Sequence, residues 1–133
     1  MRPFLALLLL AACNTPSPHF SGLEATRVSV AGSVFDIRVR GDLAEALRVN
    51  AQYAPRFGPI RARAAFAMEQ VSGCTVTEVS GDQALALGKL SCKDRPTRWS
   101  APVAPVSYSC TDVGHWSSYR LGVTWQDFDC DPV

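Results

Sequence analysis

His115 is the one histidine in a stretch that reads as folded, with Asp112 before it and Ser117 and Ser118 after it. A Ser-His-Asp nucleophile needs three groups that converge in space, and neighbours in sequence rarely do so. No Gly-x-Ser-x-Gly elbow is present to raise a serine on a strained strand-to-helix turn. His115 therefore reads as a surface or half-buried residue beside Trp116, and no catalytic residue is assigned. Asp127, Asp129 and Asp131 alternate close to the last residue. Alternate carboxylates can ligate Ca²⁺, but an EF-hand loop also needs a turn glycine and a later bidentate glutamate, and neither follows. The run reads as a solvated acidic terminus, so neither a metal nor a cofactor is expected. Glu45, Glu69 and Glu78 have structural readings as a helix cap, a helix surface and a strand surface.

Two other groupings could serve recognition. Arg56, Arg61 and Arg63 cluster around a helix-helix turn, where they solvate the turn or present a patch to an acidic partner or to peptidoglycan carboxylates. The tryptophans Trp99, Trp116 and Trp125 all lie beyond residue 92, with Tyr108, Tyr119 and Phe128. Aromatic residues are enriched at binding faces, yet a small stapled segment needs them for its own core. Arg56, Arg61, Arg63, Trp116 and Trp125 are the candidate binding patch.

The N-terminal residues are more specific. Arg2 precedes an apolar run, Phe4 to Ala12, and then Cys13. A charged n-region followed by a short apolar h-region is the pattern of an export signal. As a helix the run reaches about 14 Å at ~1.5 Å per residue, well short of the roughly 30 Å core of a bilayer. Leu10-Ala11-Ala12-Cys13 resembles the lipobox of bacterial lipoproteins, in which a small residue precedes the cysteine. An ordinary secretory cleavage after Ala12 would place Leu10 where a small residue is wanted. The resemblance implies removal of residues 1–12, lipidation of Cys13 with palmitate-like acyl chains, and attachment to a membrane. Because Asn14 rather than Asp follows, it further implies the outer membrane, facing the periplasm. Residues 13–23 then read as lipidated cysteine and spacer, since Pro16, Pro18 and Gly22 with small polar neighbours suit a linker; His19 belongs to it.

Removing Cys13 from the cysteine count leaves Cys74, Cys92, Cys110 and Cys130. An even set in an exported chain reads as two disulfides. Three pairings exist, and Cys74–Cys92 with Cys110–Cys130 is favoured because each closes a hairpin-sized loop. A four-cysteine zinc site would want Cys-x-x-Cys pairs, and none is present. The chain carries 13 Lys+Arg and 12 Asp+Glu, so loss of Arg2 leaves 12 of each. That balance gives no electrostatic case for nucleic acid.

The elements that must position these residues follow from periodicity. Thr26 to Arg40 reads as a hairpin about Ala31-Gly32-Ser33, with Val28, Val30, Phe35, Ile37 and Val39 on one face. Asp42 reads as a helix cap with Glu45 completing a box, and Leu43, Leu47 and Ala51 as that helix's stripe. A second helix is expected from near Pro59, with Ile60, Ala64, Ala67, Met68 and Val71 inward and Gly73 as its end. Cys74–Val79 and Ala84–Cys92 read as a second hairpin, with Cys74 facing Cys92, Val76 facing Leu90 and Glu78 facing Gly88. The expected fold is α+β over residues 24–92: a small antiparallel sheet of two hairpins in ββααββ order, with two helices on one face. Residues 93–133 read as a proline-containing connector and an aromatic, disulfide-stapled C-terminal extension, with a strand about Tyr119, Leu121, Val123 and Trp125.

The expected function is that of a membrane-anchored envelope lipoprotein. It is non-enzymatic, acting as an accessory or structural protein on another envelope protein or on the cell wall. The alternatives are a small cell-wall-active hydrolase and a ligand-binding module.

Overall fold

The structure is a computed structural model. It describes residues 14–103, 106–118 and 123–133, and for 115–118 and 123–127 it describes the backbone. The leader and Cys13, and Tyr119 and Leu121 of the expected last strand, lie outside the described residues.

The first hairpin forms as its alternation requires. β1 (Thr26–Val30) and β2 (Ser33–Arg40) pair antiparallel with Val28 opposite Phe35. Ala31 and Gly32 both have positive φ, 48° and 80°. Such a two-residue turn matches the right-handed twist of the flanking strands. Val28, Val30, Phe35 and Ile37 are buried together on one face.

The expected first helix is a strand. β3 (Leu43–Arg48) pairs with β2 on one side and β5 (Leu85–Ser91) on the other. Leu-Ala-Glu-Ala-Leu is rich in helix formers, and that propensity misdirects the reading. A central strand gains backbone hydrogen bonds on both sides and burial on both faces, which outweighs a few tenths of a kcal/mol per residue of helix preference. Its small alternate residues Ala44 and Ala46 are buried on the side that meets the helix. The signal that was available is Gly41-Asp42, a two-residue turn between β2 and β3 of the kind that closes hairpins.

The second expected helix is present as α1 (Phe57–Ser72), with Ile60, Ala64, Ala67, Met68 and Val71 buried as its stripe predicts. Gly73 ends it in the left-handed conformation at φ 70°, its N–H donating to the carbonyl of Glu69. β4 (Thr75–Gly81) and β5 then form the second hairpin. Val76 faces Leu90 as expected, but a bulge between Val76 and Glu78 shifts the later register. Val79 therefore faces Gly88 and packs on the core, while Glu78 faces Lys89 at the surface. The extra residue of a bulge re-aims side chains in this way.

The expected C-terminal extension, 93–133, supplies two strands to the main sheet. β6 (Val106–Ser118) joins the same sheet parallel to β1, with Val28 beside Val106 and Val30 beside Tyr108, and β7 (Val123–Pro132) pairs antiparallel with β6. The order is β4-β5-β3-β2-β1-β6-β7. The ββααββ α+β arrangement with two helices is thus replaced by a mixed seven-stranded sheet with one helix among the described residues. Helix α1 touches β4 and β5 as well as β1, β2, β3 and β7. Seven strands at about 4.8 Å spacing are much wider than one helix of about 10 Å, so the sheet must curl around α1.

Both disulfides follow the expected pairing. Cys74–Cys92 ties the residue after Gly73 to the end of β5, and Cys110–Cys130 joins directly opposed residues of β6 and β7.

Candidate functional site

The face of the sheet opposite α1 carries Arg38, Glu45 and Leu87 in cross-strand register. Glu45 is fully buried. A carboxylate removed from water needs hydrogen-bond and charge partners. Glu45 Oε2 accepts the backbone N–H of Ser17 at 2.8 Å, and Oε1 lies 3.8 Å from Arg38 Nη1. The second contact is a charge contact and too long for a hydrogen bond. Arg38 in turn donates through Nε to the carbonyl of Leu23 at 3.2 Å.

These bonds hold a strap over the sheet. The stretch expected to be a spacer contains a 3-10 turn, Pro18–Phe20, in which Phe20 is 2% exposed. A linker composition does not prevent docking when one large aromatic residue finds a buried place and hydrogen bonds to the sheet, Ser17 to Glu45 and Arg38 to Leu23, add to its burial against the loss of chain freedom. His19 is exposed, with its ring edge-on to Phe20 at 5.0 Å. The role expected for Glu45, a helix cap, gives way to this one: it is the pin between strap and sheet. Periodicity could have raised it, since Glu45 sits between two alternating alanines, but only a strand assignment gives the alternation meaning. Chemically the arrangement is a clasp. Both carboxylate oxygens are directed to protein groups.

A second polar cluster fixes the loop before α1. Ser33 is fully buried and its hydroxyl donates to Gln52 Oε1 and accepts Arg63 Nη1 at 3.1 Å. Asn50 bridges the turn, accepting from Val34 N–H and donating to the Gly32 carbonyl. Arg48 donates to the carbonyls of Gln83 and Gln52. Arg63 is thereby committed to the β1–β2 turn, whereas Arg56 is exposed ahead of α1 and Arg61 is half-buried on it. Trp116 and Trp125 are opposed residues of β6 and β7. Their side chains, and that of His115, lie outside the described residues, so the tryptophans of the expected patch are placed by backbone alone.

Asp112 lies at a bulge of β6, where its Oδ1 accepts the N–H of Gly114 at 3.0 Å. Asp129 faces Thr111 and Asp131 faces Ser109, both exposed on β7. Among the described residues no group of three or more His, Cys, Asp or Glu side chains is arranged to hold a metal ion.

Glu69, Glu78 and Asp82, outside the clasp, also have local partners. Glu69 Oε1 accepts the Val76 N–H at 2.8 Å. Glu78 pairs with Lys89 at 2.7 Å on the surface, and the bond raises the Lys89 pKa. Asp82 Oδ1 accepts from Leu85 and Ala84 N–H in the β4–β5 turn, which lowers its pKa below the ordinary carboxylate value.

No protein-family model, curated protein or solved structure matches this chain.

Proposed function

We propose that this chain is a lipid-anchored protein of the bacterial envelope that acts by contact, as an accessory to another envelope protein or to the cell wall. The observation that carries the reading is the cysteine inventory. Four of the five cysteines are consumed in two disulfides, which suits an oxidising compartment. The fifth, Cys13, follows Leu10-Ala11-Ala12 at the end of a short apolar run. A thiol so placed is the acceptor for lipid in a lipobox, and two or more acyl chains anchor a domain lastingly. The contact reading draws on the sheet edges at β4 and β7, which among the described residues pair with a strand on one side only, since edge strands offer backbone groups to a partner.

The test is expression of the full chain in a Gram-negative host, with mass spectrometry of the N-terminal peptide and fractionation of membranes. Expected are loss of residues 1–12, acyl mass on Cys13 and membrane retention, all abolished by Cys13→Ser. Unmodified Cys13 in a soluble fraction would overturn the anchor. Crosslinking in intact cells should then recover a defined envelope protein or a peptidoglycan adduct, and hydrolysis of a cell-wall substrate by the purified protein would overturn the contact reading.

A further inference from the structure

The strap limits where an anchored domain can go. Ser17 is bonded to Glu45 at the middle of the sheet and Phe20 is buried three residues later. An anchor on Cys13 would therefore hang on no more than the four residue steps that separate Cys13 from Ser17. Four residue steps reach at most about 14 Å at ~3.6 Å each. With the strap loose, the tether would extend to Thr26, where β1 begins, and thirteen steps would reach about 45 Å.

The strap lies on the face away from α1, so acyl chains carried four residues before Ser17 would be delivered to that face. Beside the strap, Leu43 and Leu85 are half-buried there and Leu87 is exposed. In register, Arg40 faces Leu43 and Leu43 faces Lys89. Arg40 is exposed, and no carboxylate is in ion-pair range of it among the described residues. Lys89 is already paired with Glu78 at 2.7 Å, so Arg40 is the cation left to meet a phosphate, and open leucines beside it suit the headgroup zone of a bilayer, where apolar side chains sink and phosphates meet basic groups.

We propose that the face of the sheet bearing Arg40, Leu43, Leu85 and Leu87 lies against phospholipid headgroups, held there by the pinned tether. This rests on the lipid-anchor reading. Helix α1, with Arg56 and Arg61, then points away from the bilayer toward the partner.

The full chain, carrying the photocrosslinker p-benzoylphenylalanine at position 87 or at position 61, is purified from membranes and placed in vesicles of phosphatidylethanolamine and phosphatidylglycerol. The lipid on Cys13 is verified by mass in each sample. Expected is phospholipid crosslinking at position 87 at least about tenfold above position 61, lost when a Gly/Ser insert of about ten residues between Asn14 and Thr15 dilutes the local concentration of bilayer. Equal crosslinking at both positions, or none at position 87 with the lipid present, would overturn the docking and leave the anchor standing. An unlipidated Cys13 would overturn both.

Discussion

The backbone N–H of Ser17 and the Oε2 of Glu45 meet at 2.8 Å across 28 residues of chain. One carboxylate thus joins the N-terminal strap to the central strand, and Arg38 supplies the opposing charge from 3.8 Å. Removing one partner of a buried pair strands the other charge, typically at about 3–5 kcal/mol, whereas replacing both with apolar residues is often neutral. Glu45→Leu should therefore lower unfolding stability in urea by about 3 kcal/mol. Glu45→Leu with Arg38→Met should recover most of it. A single variant as stable as the parent would show that the pair is electrostatically idle.

Phe20 tests the strap itself. It belongs outside the cluster packed on α1, so its loss should release residues 14–25 without melting the main core. Truncating a buried phenylalanine costs about 3–5 kcal/mol when the core depends on it. If the strap opens as a local unit, global stability should fall by less, about 2 kcal/mol. Hydrogen exchange at Phe20 and Leu23, whose N–H groups bond to the carbonyls of Ser17 and Phe20, should accelerate in Phe20→Ala. Exchange in α1 should hold.

Strap and strand show where local sequence stops being informative. The hairpin at Ala31-Gly32, the buried stripe of α1, the Gly73 terminus and both disulfide pairings were legible because each is fixed by neighbours within about 20 residues, through period or loop closure. Leu43–Arg48 was not, because its strand state comes from β2 and β5 hydrogen-bonding on either side, which overrides local helix preference. The parallel β1–β6 pair joins Val28 to Val106, and nothing local encodes so distant a contact. Glu45 was visible as a residue but not as a pin. Its meaning depends on the strand and on Ser17 at once.

The β4–β5 turn offers a pH test. Asp82 is held below its usual pKa by the N–H groups of Leu85 and Ala84. A carboxyl whose folded value is depressed adds stability above its unfolded value, near pH ~4, and loses it as pH falls through the folded value. Asp82→Ala should therefore cost about 1 kcal/mol at neutral pH, allowing for the exposure of the turn. The gap to the parent should close in acid below that window. A gap that persisted there would assign the loss to backbone geometry instead.

The two disulfides should separate by what they hold. Each closes a loop of similar size, 18 and 20 residues apart in sequence, so chain entropy assigns each about 3 kcal/mol. Cys74 is buried in the core; Cys92 is exposed, while Cys110 and Cys130 lie at its margin. Cys74→Ala with Cys92→Ala should lower the Tm by about 10 °C or more and loosen α1, β4 and β5 together. Cys110→Ala with Cys130→Ala should raise exchange mainly in β6 and β7. Identical exchange maps for the two double variants would contradict a margin that opens independently.

Gly73 concentrates three demands at the end of α1. Its φ of 70° is one that a residue with a Cβ adopts at a cost of about 1–2 kcal/mol. A Cβ there would also fall 2.4 Å from Cδ2 of Trp99, inside any tolerable contact. Trp99 in turn donates its indole N–H to the Val71 carbonyl at 3.2 Å, satisfying one of the acceptors that a helix terminus leaves without a partner. Gly73→Ala must therefore both strain the backbone and push the indole off the helix end. The expected loss is about 3 kcal/mol, more than the left-handed conformation alone would cost. Trp99→Ala should remove the steric share, so that adding Gly73→Ala to it costs only the conformational ~1–2 kcal/mol. Strict additivity of the two substitutions in urea unfolding would mean that glycine and indole do not meet.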